Sequence, residues 1–165
     1  RIVANEPQEY HDMIYHTESL KVDNGVDKIK FNFGSITNNL LFNYVDYLLW
    51  KQESTKENRD LKIIDFKFTS RSSVEHYYPQ NPKEGFPKME DLKTLNCFGN
   101  LCLISHSQNS SLSNFSPLSK AEFYLKGEID SIKQYLMLKN SNVWDVEAIQ
   151  EHQKEIFQLL KIENE

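Results

Sequence analysis

The chain is short of cysteine. Cys97 and Cys102 are its only two among 165 residues, which excludes a four-thiolate zinc site and a disulfide-stapled secreted scaffold. A reducing, cytoplasmic setting follows as the default, with both thiols acting as small buried apolar residues. No stretch approaches about 18 consecutive apolar residues, so a membrane-spanning helix is excluded and no membrane partner is expected. Positive charge is not in excess either: the formal net charge is −5, which argues against a grip on nucleic acid by bulk charge alone. Internal repeats and long low-complexity tracts are missing. An initiator Met and an apolar signal core are also missing from the start, Arg1-Ile2-Val3-Ala4-Asn5, which reads as a cut from a longer polypeptide.

What is present suits one domain, or one domain with an appended helical piece. Hydrophobic residues make up 39% and charged residues 26%, with 12% aromatic, enough large side chains for a core. The charge is unevenly spread. Residues 1–70 carry a net −2, residues 71–120 a net +1 and residues 121–165 a net −4. The middle third is also the richest in Ser, Asn, Gly and Pro, so the site is expected there.

Asp23-Asn24-Gly25 reads as a turn between short strands at 18–22 and 28–33. Leu40/Leu41, Tyr44/Val45 and Leu48/Leu49 recur at helical spacing, predicting a helix over 37–52 with Thr37 as N-cap and Tyr44, Tyr47 and Trp50 in the core. A polar loop follows to Asp60. Ile64, Phe66 and Phe68 alternate with polar residues as in a strand. Ser73 to Tyr77 reads as a second strand. Pro79, Pro82, Gly85 and Pro87 force an irregular connection to about Lys88. Leu101 to Ile104 reads as a strand, and Ser105 to Ser116 as a polar loop or broken helical turn. Helices are expected over 118–125 (opened by Pro117 and ended by Gly127), 132–138 and 143–161. His11, His16 and His152 read as surface or structural.

The central third holds Glu75-His76-Tyr77-Tyr78-Pro79-Gln80, Gly99-Asn100-Leu101, Asn109, Asn114 and Lys120. Adjacent residues on a strand face opposite ways, so Glu75 and His76 are suited to different tasks at one strand end. Asn109, nine residues after Asn100, can return to the same place from a following helix. Hard oxygen donors such as Glu and Asn favour Mg²⁺ completed by water and phosphate, and a His near neutral pKa can take a proton from water.

This pattern resembles the HNH (ββα-metal) nuclease motif, and more closely the domain at the C-terminus of GmrSD-type, modification-dependent restriction enzymes. The resemblance covers roughly residues 36–160. It rests on Glu-His-x-x-Pro-Gln at 75–80, Gly-Asn-Leu at 99–101, Asn109 and Lys120, flanked by the helix ending Leu48-Leu49-Trp50 and the helix of Trp144 and Ile149. It implies an α+β fold with a small ββα core wrapped by helices over 36–165, residues 1–35 being a leading segment. It implies that His76 is the general base, that Asn100 shapes the inter-strand loop and orients His76, and that Glu75 and Asn109 hold one Mg²⁺ or Mn²⁺ ion. Lys120 would contact phosphate from the start of a second helix, and His106 is a candidate substrate contact without a role in the family pattern. The implied substrate is double-stranded DNA, foreign or modified, and the implied partner is a nucleotide-hydrolysing, ParB-like domain upstream. Two rivals remain: a catalytically degenerate domain that binds DNA or a partner protein, favoured by the net acidity, and a purely structural domain of an NTP-driven machine.

Overall fold

The computed structural model describes residues 31–36, 39–112, 114–124, 127–140 and 143–160. The turn at 23–25, His11, His16, the Thr37 cap and most of the two flanking strands lie outside them. Seven α-helices and one two-stranded sheet are found among the described residues, an α+β fold. In chain order these are α1 (Leu40–Ser54), α2 (Leu61–Ile64), β1 (Ser73–His76), α3 (Leu92–Leu95), β2 (Leu101–Ile104), α4 (His106–Leu112), α5 (Pro117–Tyr124), α6 (Ile132–Asn140) and α7 (Val146–Leu159).

The sheet is the divider on which the molecule is built. β1 and β2 are antiparallel, pairing Ser73 with Ile104, Glu75 with Cys102 and His76 with Leu101. All four residues of β2 are completely buried, as an apolar strand covered on both faces must be. Alternation sends Cys102 and Ile104 into one apolar cluster, with Leu112 of α4, Ala121 and Tyr124 of α5 and Trp144. Leu101 and Leu103 enter the other, with Phe42, Val45 and Leu49 of α1 and Ile132 of α6. Residues directly opposite share a face, so Glu75 faces the α4–α5 side and His76 the other. Both cysteines are buried and unpaired.

Three local expectations change. Residues 61–64 turn as a helix instead of opening a strand, because the Asp60 side chain caps the turn by accepting from Lys62 N–H, and residues 66–72 run on without a strand partner. Their Phe66/Phe68 alternation is an inside-outside loop crossing, with Phe66 buried and Phe68 half exposed. The segment after β2 is helical: α4 begins two residues past the strand, so β2 leads into a helix while α3 lies in the connection between β1 and β2. The aromatic row is only partly core. Tyr44, Tyr47 and Trp50 stack along α1, but Tyr47 is 40% exposed, since i and i+3 on a helix share a face whichever way that face points.

Candidate active site

β1 ends at His76, and the chain leaves the sheet there for a long connection that returns only at Asn100. That connection is closed by one amide. The buried Asn100 side chain accepts from Tyr78 N–H at 2.7 Å and from the Trp144 indole N–H at 3.0 Å. It donates to Tyr78 O at 3.1 Å and Leu95 O at 2.9 Å. The Asn100 main-chain carbonyl also accepts Tyr77 N–H at 2.9 Å. All polar capacity of the amide is thereby used, and both ends of the connection are pinned beside the strand end. Asn100 shapes the loop by direct contact. The side chain hydrogen-bonded to the His76 ring is a different one, Asn96.

Asn96 terminates α3, whose start is capped by the Asp91 carboxylate. Its Oδ1 lies 3.0 Å from His76 Nε2, and Gln80 Nε2 approaches the same oxygen at 3.4 Å. The Asn96 carbonyl accepts Phe33 N–H at 2.8 Å, and the Phe33 ring stands edge-on to the imidazole with centroids 4.5 Å apart. Burial lowers the His76 pKa below its ordinary value, the Lys120 ammonium adds to the effect, and the Asn96 hydrogen bond opposes it. The buried ring therefore holds a second proton less readily than a free imidazole.

On the opposite face Glu75 meets Lys120, the fourth residue of α5. Lys120 Nζ donates to Glu75 Oε1 at 2.5 Å, His76 O at 2.8 Å and Tyr77 O at 3.0 Å. The lysine is 1% exposed, and three acceptors fill its three donor directions. The expected phosphate contact is therefore replaced by an internal clamp, because α5 presents residue 120 inward with Ala121 and Tyr124 of the same core cluster. Burial raises the Glu75 pKa and Lys120 opposes that rise.

Asn109 is half-buried on α4, whose Leu112 enters the cluster on the Glu75 side. Its side chain makes no hydrogen bond to another described residue. His106 is exposed at the head of α4, and its ring makes no hydrogen bond or ion pair with another described residue. Asn114 accepts Lys83 N–H through its carbonyl. The fold thus brings Glu75, His76 and Lys120 together at the end of β1, with Asn100 and Asn96 behind the loop.

Glu75 and Asn109 are the two hard oxygen donors that the sequence pattern offers for Mg²⁺ or Mn²⁺, and of these it is Glu75 that stands at the strand end, joined to Lys120. Among the described residues no three His, Cys, Asp or Glu side chains form a metal cluster, so most of a cation's shell would come from solvent and substrate. Glu75 already shares its charge with Lys120, so a cation bound there would have to share the carboxylate with the ammonium.

Sequence reasoning missed Asn96 because no local pattern marks the one-turn helix that it ends or ties it to His76, 20 residues earlier. It read His152 as surface or structural; the imidazole is buried in α7 with Nε2 lacking a hydrogen bond. It gave Lys133 no role, although this buried lysine of α6 donates to Phe98 O and Leu101 O at 2.9 and 2.6 Å. No helix among the described residues is long and apolar enough to cross a membrane.

No curated protein and no solved structure matches the chain. A family model described as the C-terminal domain of GmrSD restriction endonucleases matches residues 23–159, a span that contains every element and site residue above. The Glu-His and Gly-Asn-Leu segments at the two strand ends thus lie in a chain that belongs to the family of GmrSD restriction endonuclease C-terminal domains.

Proposed function

We propose that this chain is the nuclease module of a restriction system, of HNH type, and that it hydrolyses phosphodiester bonds of double-stranded DNA, foreign or modified. The observation that carries the reading is a braced histidine at the end of β1, beside β2 and the helix that follows it, in a chain of this family. Such an imidazole takes a proton from water as the water oxygen attacks phosphorus. The bond from phosphorus to the 3′ oxygen breaks, that oxygen gains a proton, and the product carries a 5′ phosphate.

Glu75 and Asn109 would hold one Mg²⁺ or Mn²⁺ ion, which when bound supplies charge stabilisation at the phosphate. Lys120 fixes Glu75 and the two carbonyls after it, and so sets where the strand end points. His106, exposed on α4, is a candidate contact for the DNA flank. One such site cuts one strand, so a double-strand break takes two sites or two successive nicks. A nucleotide-hydrolysing, ParB-like domain in the same polypeptide or complex would gate the cut.

The test is plasmid nicking with Mg²⁺ or Mn²⁺, with His76→Ala beside the unmodified chain. The expected loss is about 10² to 10⁴ in rate, the usual worth of a general base. A variant that cuts as fast as the parent removes His76 from the chemistry. A parent that binds DNA but never nicks it favours the degenerate, binding-only domain.

A further inference from the structure

We propose that Asn96 is a positioning residue that fixes the tautomer of His76, so that Nε2 carries the ring proton and Nδ1 is the free base. The proposal rests on the nuclease reading for its consequence, and on geometry alone for its content. Amide Oδ1 has no hydrogen to give, so the 3.0 Å contact with Nε2 requires the proton on Nε2. Gln80 Nε2, itself an amide donor, approaches the same Oδ1, as suits an oxygen there. A neutral imidazole has one ring proton. With Nε2 protonated, Nδ1 keeps its lone pair, the atom that must accept a proton from water.

The mounting of Asn96 is rigid for an oxygen meant to hold a ring in place. Its N–H bonds back to Leu92 O at 3.1 Å, and its carbonyl accepts Phe33 N–H at 2.8 Å. Cys97, the next residue, forms a bridge with Asn32. One segment therefore carries both Phe33, which walls the ring, and the backbone bond that steadies Asn96. The charged group acting on His76 is Lys120, which touches its carbonyl and leaves both ring nitrogens alone. The tautomer is thus left to Asn96.

Nitrogen-15 NMR of the imidazoles reads the tautomer directly, without DNA or metal, at a pH where the ring is neutral; His76→Ala identifies the His76 signals. The unmodified chain is expected to show Nε2–H alone. Asn96→Leu should show a mixture of tautomers and a cleavage rate lower by about 10- to 100-fold, the scale typical of losing a side chain that orients a histidine. Asn96→Asp, which keeps an acceptor oxygen in place, should hold the Nε2–H form and restore most of the rate. An Nδ1–H signal in the unmodified chain overturns the proposal, since Asn96 would then be donating to Nε2. So does an unchanged tautomer in Asn96→Leu. A correct tautomer in a chain that never cuts DNA leaves the positioning intact and defeats the nuclease reading instead.

Discussion

Three oxygens enclose the ammonium of Lys120, and the nearest belongs to the mostly buried Glu75 carboxylate at 2.5 Å. Removing one member of such a pair leaves the other charge without compensation, a loss of about 3–5 kcal/mol. Lys120→Met keeps the length and the apolar stem of the side chain and deletes only the charge. Its urea midpoint should fall accordingly, and adding Glu75→Gln should recover part of the loss by removing the stranded carboxylate. A surface lysine gripping phosphate behaves otherwise: its loss would spare stability and lower the log–log salt slope of DNA binding by about one. Unchanged stability in Lys120→Met would therefore return the residue to the DNA-contact role that its position after Asn109 first suggests.

At the scale of elements, β2 and the short turn before it are held against α7. A Cβ on Gly99 would lie 2.3 Å from Ile149 O and 2.8 Å from Gln153 Cβ. Both belong to α7, and Gln153 Oε1 also accepts Gly99 N–H at 3.2 Å. The glycine of the Gly-Asn-Leu segment is there for close approach, with no unusual backbone angle needed. Gly99→Ala must push the helix away, at about 1–3 kcal/mol or more. Thermal melting should show it, and Gly127→Ala, where the nearest atom to a new Cβ is 4.0 Å away, is the control that should lose little to sterics. Equal melting of the two variants would mean that α7 yields without strain. Element reading from the sequence did well where one physical pattern ruled. β2 is four apolar residues in a row and α1 is a sustained 3.6-residue period. It failed at residues 61–68, where period-2 alternation describes a loop that passes between core and surface.

For the whole molecule, stability should fall on mild acidification, and His152 is one cause. Burial, with the Lys133 ammonium adding to it, pushes His152 down to about 4. Glu155, 3.7 Å from Nδ1, opposes the shift, and the Trp144 ring stands edge-on to the imidazole. In an unfolded chain histidine titrates near 6.5. Between these values the unfolded state binds the extra proton, so stability is complete above about pH 6.5 and drains away as pH falls toward 4. The part due to this one group is on the order of 2–3 kcal/mol. Urea titrations at pH 7.5, 6, 5 and 4.5 should show a shallower acid limb for His152→Gln than for the parent. Parallel limbs would place the acid sensitivity elsewhere. A second device of the same scale ties α1 to α6: Asp46 pairs with Arg71 at 2.7 Å and accepts Ser131 Oγ at 3.1 Å and Lys133 N–H at 2.8 Å. Residues 46, 71 and 131–133 are far apart in sequence, and no local pattern joins them.

The order of residues by itself determined the two strands, the helices at 40–54, 117–124, 132–140 and 146–159 to within a few residues, and the grouping of Glu75, His76 and Asn100 at the strand ends. Each of these is written locally, in periodicity, in a proline at a first turn, or in short motifs around a turn. Only the tertiary structure decided which polar side chains face one another. Lys120 reads as solvent-facing because charge is cheap at a surface; it is internal because Glu75 and two strand-end carbonyls await it from 43 to 45 residues away. Asn96 carries no signal in the sequence and is the partner of His76 because the connection folds back across 20 residues. A hydrogen bond needs about 3 Å and a direction, and between residues so far apart in the chain neither is fixed until the core has packed.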